Sequence, residues 1–178
     1  MLERHHDDGR RASSALYSDC ATYRYALTRT WDPAGARLLY VMLNPSRATE
    51  TQNDPTIERC ERRAKALGFG AFRAVNLFAY RETDPIALRR APEPVGPDND
   101  IVLIESATRW LRGAGDHLLC GWGVHGAHLD RGAEVAEFLQ RTGRQLFCFG
   151  TTKNGAPRHP LYIAYATAPQ LWLPSQSR

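Results

Sequence analysis

The chain has 178 residues, 43% of them hydrophobic and 24% charged, and carries a net charge of +4. That length supports one complete core, and that composition is ordinary for a globular domain, without the bias of a fibrous or low-complexity chain or the apolar runs of a membrane-spanning one. The four cysteines, Cys20, Cys60, Cys120 and Cys148, stand singly and read as reduced residues, not as a disulfide, metal or iron–sulfur framework.

Residues 1–16 are polar and basic and read as a disordered arm preceding a single α/β domain over residues 17–178. The arm lacks the apolar segment of a signal peptide, so a cytoplasmic location is expected, with no membrane association. Arg4, Arg10 and Arg11 lie in this arm, and Arg59, Arg62 and Arg63 are expected on the solvated face of a helix. The excess positive charge therefore permits a nucleic-acid or nucleotide partner without identifying one.

Tyr23 to Trp31 alternates as a strand does and meets the turn Asp32-Pro33-Ala34-Gly35, which predicts an antiparallel hairpin with the next segment. That segment, Leu38 to Leu43, is an unbroken apolar run stopped by Asn44-Pro45, and it reads as a strand buried on both faces. Asn44 then stands at a carboxyl-end mouth, where open α/β sheets bind ligands. A polar loop leads to Asp54-Pro55, a helix start with Asp as cap and Pro in the first turn, and Gly68 with Gly70 ends that helix. Ala71 to Tyr80 reads as a second buried strand, parallel to the first, interrupted by the polar Asn76. Thr83 to Pro97 is expected to wrap the surface. A helix follows from Asp98 to about Leu111, with Ile101, Ile104 and Leu111 inward. Leu118 to Trp122 and Gln145 to Phe149 are further strands, separated by a helix that turns Val135, Phe138 and Leu139 inward. The order predicts an α/β sandwich with a mostly parallel sheet.

Gly121, Gly123 and Gly126 match G-x-G-x-x-G between a strand and a helix. The next strand ends in Gly150-Thr151, where an acid for a ribose hydroxyl should stand, so a tight turn is preferred to a dinucleotide site and no cofactor is expected. His117, Cys120, His125 and His128 match no standard ligand spacing, so no metal is expected either. Asn76 is different in kind. A carboxamide in an apolar strand must find partners, either in nearby backbone or in the edge of a bound amide, pyrimidine or purine. His159, in a loop after the last strand, has the chemistry of an electrophile, an acid or a loop anchor. Asp54 can cap its helix or activate a water, and Lys153 and Arg158 can hold phosphate or remain solvated.

Asn44-Pro45, Asn76, Trp122-Gly123 and His159-Pro160, each after a successive strand, are together similar to the uracil-DNA glycosylase superfamily. The resemblance implies that fold, a three-layer sandwich, over about Leu38 to Tyr162. It implies that Asn44 positions a water at the anomeric carbon, that Asn76 reads the edge of a flipped base, and that His159 donates to the base oxygen. Pro45, Ser46, Trp122 and His125 would complete the base pocket. The superfamily's stacking ring has no counterpart between Ser46 and Gly68, leaving Phe69, Phe78 or Tyr80 to take that place. More closely, LNPS (43–46), DPT (54–56), NLFAYR (76–81), PVG (94–96), WG (122–123) and RHPLY (158–162) resemble the bacterial and phage family known as domain of unknown function 1643.

The expected function is that of an enzyme acting on a nucleobase or nucleotide, with N-glycosidic hydrolysis in DNA as its most specific form. The alternative is a non-catalytic nucleic-acid or nucleotide-binding module. A small-molecule enzyme unrelated to DNA is a third reading, and a monomer is expected in each case.

Overall fold

The computed structural model describes residues 1–174 and places eight strands in one mixed sheet. In chain order the strands are β1 (Leu2–Asp7), β2 (Ala12–Tyr17), β3 (Arg24–Thr30), β4 (Arg37–Met42), β5 (Ala71–Asn76), β6 (His117–Gly121), β7 (Leu146–Cys148) and β8 (Gln170–Leu171). The helices are α1 (Pro55–Ala66), α2 (Pro85–Arg90), α3 (Asn99–Glu105), which continues as a π-helical turn over Ser106–Trp110, and α4 (Arg131–Arg141). The sheet order is β1-β2-β3-β5-β4-β6-β7-β8.

The apolar run before Asn44 becomes β4 and takes the middle of the sheet, with Leu38, Leu39, Tyr40 and Val41 all at 0% exposure. Its neighbours β5 and β6 are both parallel to it, and β7 is parallel to β6. The remaining pairings, β1–β2, β2–β3, β3–β5 and β7–β8, are antiparallel. The expected mostly parallel sheet is thus corrected to a parallel centre with antiparallel flanks.

The predicted hairpin is corrected as well. β3 does not pair with β4; β5 lies between them, antiparallel to β3 through Leu27↔Ala74 and parallel to β4 through Tyr40↔Ala74. A strand with no polar side needs neighbours on both edges and cover on both faces, and the crossover through α1 returns β5 to supply one of them.

Residues 1–16, expected to be disordered, form strand β1 and most of β2. Asp8-Gly9 makes the turn, with Gly9 at φ +80° and the Asp8 carboxylate accepting from Arg10 N and Arg11 N at 2.9 Å. β2 buries Ser13, Ala15 and Tyr17 in alternation against the sheet, and Arg11 reaches Glu61 on α1 at 2.7 Å. On the other face Leu16 packs, partly buried, against the core cluster that contains Leu39 and Val41.

Helices pack on both faces. Leu38, Tyr40, Met42 and Phe72 meet Ile57, Cys60 and Ala64 of α1, while Leu39, Val41, Val75 and Cys120 meet α3 and α4. On α3 the inward residues are Val102 and Leu103; Ile101 and Ile104, expected inside, are 56% and 44% exposed. The π turn lets Ala107 and Leu111 reach the core. α4 buries Val135 and Leu139 as expected, with Phe138 half-buried against them. Arg63, expected on a solvated face, is 1% exposed. Its guanidinium lies 4.2 Å from the Phe149 ring and donates to the carbonyls of Ile163, Ala164, Tyr165 and Thr167, tying the segment after His159 to α1. Cys60, Cys120 and Cys148 are buried free thiols, and Cys20 is exposed. No helix among the described residues is long and apolar enough to cross a membrane.

Candidate functional site

β4 is where the crossovers diverge. The helix after β4 packs on one face of the sheet, and the helices after β5 and β6 pack on the other. Such a switch point opens a crevice outside the strands' carboxyl ends. Asn44 to Ser46 follow β4, Asn76 ends β5, Trp122 to His125 follow β6, and His159 lies beyond β7.

Asn76 sits in register with Met42, which sits in register with Gly121, so the three form one row across the centre of the sheet. Strand alternation puts the Asn76 side chain on the α1 face, with Phe72 and Ala74. It is 1% exposed, and among the described residues neither Oδ1 nor Nδ2 has a hydrogen-bond partner. Its backbone, by contrast, is held firmly: Asn99 Nδ2 donates to the carbonyls of Asn76 and Leu77 at 3.0 Å each. A fold that fixes the main chain and leaves the side-chain amide unmet forgoes roughly 1–3 kcal/mol per orphaned group.

His159 is held against the end of β6. A Cβ on Gly121 would stand 2.9 Å from Pro160 Cδ, and Gly123, at φ +70°, lies against the His159 side chain. Gly126 in turn leaves room for the Trp122 indole, since a Cβ there would fall 2.1 Å from its Cδ1. The three glycines that match a dinucleotide fingerprint thus serve close packing of the histidine, the proline and the tryptophan. Leu161 N donates to His159 Nδ1 at 3.3 Å, which assigns the ring proton to Nε2. Burial pushes the imidazole pKa down to about 4, opposed by the negative charge of Asp54 and assisted by His125. His159 is a neutral N–H donor at physiological pH.

Asn44 is half-buried and anchored. Its Nδ2 donates to Glu82 O at 2.6 Å and Pro45 O at 3.2 Å, while Oδ1 has no hydrogen bond among the described residues. Pro45 is buried and its carbonyl accepts from Glu82 N at 3.0 Å. Ser46 Oγ lies 3.0 Å from Thr83 Oγ1. Asp54 caps α1, accepting from Ile57 N at 2.9 Å and from Ala48 N at 3.2 Å. His125 Nδ1 is 2.9 Å from Arg89 Nη2, which brings α2 over the turn after β6.

The family model described as a protein of unknown function, DUF1643, matches residues 24–161. The chain belongs to the DUF1643 family. No curated protein matches it in sequence. The span shared with DUF1643 runs from β3 to Leu161 and so contains Asn44, Asn76, Trp122 and His159; the β1 turn lies outside it.

In this DUF1643 domain the crevice does not gather every expected residue. Phe78 is fully buried beside the His128 ring, 5.6 Å between centroids, and offers no free face. Trp122 is 3% exposed, edge-on to Trp172 at 5.3 Å. Lys153 and Arg158 are exposed on the loop after β7, which closes on itself through Thr152 N to Ala156 O at 2.8 Å.

Arg24 and Arg29 of β3 are buried and were not anticipated. Arg24 donates to Ala48 O, and Arg29 donates to Thr49 O at 2.6 Å and Asn53 Oδ1 at 3.1 Å, so together they hold the loop between Ser46 and Asp54 against the sheet. The signal was present in Tyr23 to Trp31, where two arginines interrupt an otherwise apolar alternation.

Proposed function

We propose that the crevice at the end of β4 takes a nucleobase, and that the protein hydrolyses the N-glycosidic bond of a nucleotide unit, with DNA as the most specific substrate class. The observation that carries the reading is the Asn76 carboxamide, buried with both polar atoms unmet. A base edge offering one donor and one acceptor matches that pair of atoms, and binding would recover the hydrogen bonds the fold forgoes. Helices on both faces of a sheet with a parallel centre are compatible with the three-layer arrangement of the uracil-DNA glycosylase superfamily.

In this scheme water, held by Asn44 Oδ1, adds its oxygen to the anomeric carbon as the carbon–nitrogen bond breaks. The bonding electron pair leaves with the base, negative charge spreads to its exocyclic carbonyl oxygen, and the proton lost by the water ends on the departing base. A neutral His159 Nε2–H aimed at that oxygen stabilises the charge without first having to lose a proton. Asp54 is left as the cap of α1, its charge felt at His159. In a polynucleotide the base would reach the crevice by flipping.

The anchoring of Asn44 Nδ2 on Glu82 O favours a second reading, a nucleotide-binding module without turnover, because it gives this asparagine a structural task of its own. Base release from single- and double-stranded DNAs carrying uracil, mismatched and modified bases separates the two. The enzyme reading expects release that falls by about 10²-fold or more in His159→Gln. No release from any of these DNAs, with binding retained, would leave the binding module in its place.

A further inference from the structure

We propose that a cavity beside Asn44, set between Arg47 and Arg81, is an oxyanion site that takes the phosphoryl group of a nucleotide or polynucleotide. The proposal deepens the nucleobase reading, because the phosphate is that of the unit whose base enters the crevice.

The cavity has a volume of about 460 Å³, and apart from Ala21, Tyr80 and Glu82 its lining consists of arginines and hydroxyls: Thr22, Ser46, Arg47, Arg81 and Thr83. Three chain segments are laced together to make it. Arg81 N donates to Thr22 O at 3.1 Å, Arg81 Nη1 to Ala21 O at 3.1 Å, and Glu82 N to Pro45 O at 3.0 Å. Ala21 takes φ +56°, a left-handed conformation uncommon for alanine, and its carbonyl is the one that receives Arg81.

Arg47 and Arg81 line the cavity beside Glu82, and Arg24, which feels the negative charge of Asp54, stands behind them. Arg81 lies 5.4 Å from the centre of the Tyr17 ring, and its Nε is buried without a partner. Arg24, 1% exposed, stands close enough that the two guanidiniums repel, and its own Nε is likewise unpartnered. The Glu82 carboxylate, the acid in the lining, is engaged by the backbone N–H groups of Thr83 and Asp84 at 2.7 and 3.0 Å. The Ser46 and Thr83 hydroxyls, 3.0 Å apart, can both turn toward a bound oxygen. Forked guanidinium donors and hydroxyls form a donor set suited to a phosphoryl oxygen. The cavity adjoins the switch-point crevice through Asn44, whose Nδ2 holds Glu82 O. Lys153 and Arg158, the residues that sequence alone offered for phosphate, lie instead on the loop after β7.

The test measures binding of inorganic phosphate, thymidine 5′-monophosphate and a ten-residue thymidine oligonucleotide to the full chain. Arg47 is exposed, so Arg47→Gln leaves the fold intact, and it should weaken phosphate binding about tenfold. For the oligonucleotide it should make the slope of log K against log salt shallower by about one. Arg81→Gln should do the same at some cost in stability. Asn76→Leu should keep inorganic phosphate binding, so failure of the base reading would leave this site standing. Binding of phosphate and the mononucleotide alone supports the site with a mononucleotide as its source, whereas oligonucleotide binding makes a polynucleotide the source. Phosphate binding unaltered in both arginine variants, lost instead in Lys153→Gln with Arg158→Gln, or absent from the unaltered protein, would overturn the proposal.

Discussion

Asn76 and His159 are each defined by what their surroundings withhold. Asn76 is denied hydrogen bonds, and His159 is denied a proton. Burial holds the folded His159 pKa at about 4, below the ~6.5 of an unfolded chain. Between those values the unfolded state binds a proton that the native state does not, so stability is full above about pH 6.5 and is lost as pH falls toward 4. The 2.5-unit difference corresponds to an effect on the order of 3 kcal/mol, and below pH 4 it levels off. Urea unfolding of the protein and of His159→Gln at pH 7.5 and 4.5 checks this. The histidine protein should lose more stability than the variant between the two pH values; equal losses would mean that the imidazole is solvated. At the same scale, the Asp54 cap was legible from sequence, and Asn76 and His159 stood out as candidates, because each breaks or ends a regular pattern. Arg81, Thr83 and Asn99 were not. Each lies in a segment whose polarity already suits a loop or a helix start, and only tertiary contact gives it a second task.

At the scale of elements, α1 does more than connect β4 to β5. Its inner face carries Ile57, Cys60 and Ala64, as the period of the sequence indicates, and also Arg63, which the same period assigns to solvent. The exception is stable because Arg63 replaces water as donor to the carbonyls of the segment that follows His159-Pro160. Arg63→Leu leaves those carbonyls without their donor and should cost about 3 kcal/mol, whereas Arg63→Lys, with a single point of donation, should recover part of it. Chemical denaturation midpoints report both. A loss below 0.5 kcal/mol in Arg63→Leu would show that water serves those carbonyls equally well. The first hairpin was misread for a related reason. Composition spoke for disorder, while Asp8-Gly9 spoke for a turn, and the turn prevailed because β2 pairs along β3 and buries Ser13, Ala15 and Tyr17.

At the scale of the whole molecule, the central position of β4 was readable, because a strand with no polar face has nowhere else to go. The position of β5 between β3 and β4 was not, since a chain-order neighbour and a spatial neighbour are different things, and local patterning says nothing of which edge a returning strand will take. That placement determines the site. With β5 on one side of β4 and β6 on the other, and the helix after β4 on the face opposite the helices after β5 and β6, Asn44, Asn76 and Trp122 all stand at or just beyond the carboxyl ends of the parallel central strands.

Under the proposed function, Asn76 is kept for a ligand at the expense of the fold. The most direct measurement is of melting temperature and nucleobase binding together, in the protein and in Asn76→Leu, whose side chain has nearly the same size. Removing two unmet polar atoms from a buried site should stabilise the variant by about 1–3 kcal/mol, while calorimetric titration with free bases and nucleoside monophosphates should show binding to the asparagine protein alone. A variant that melts lower, together with no base bound by either protein, would contradict the account and make Asn76 a structural residue.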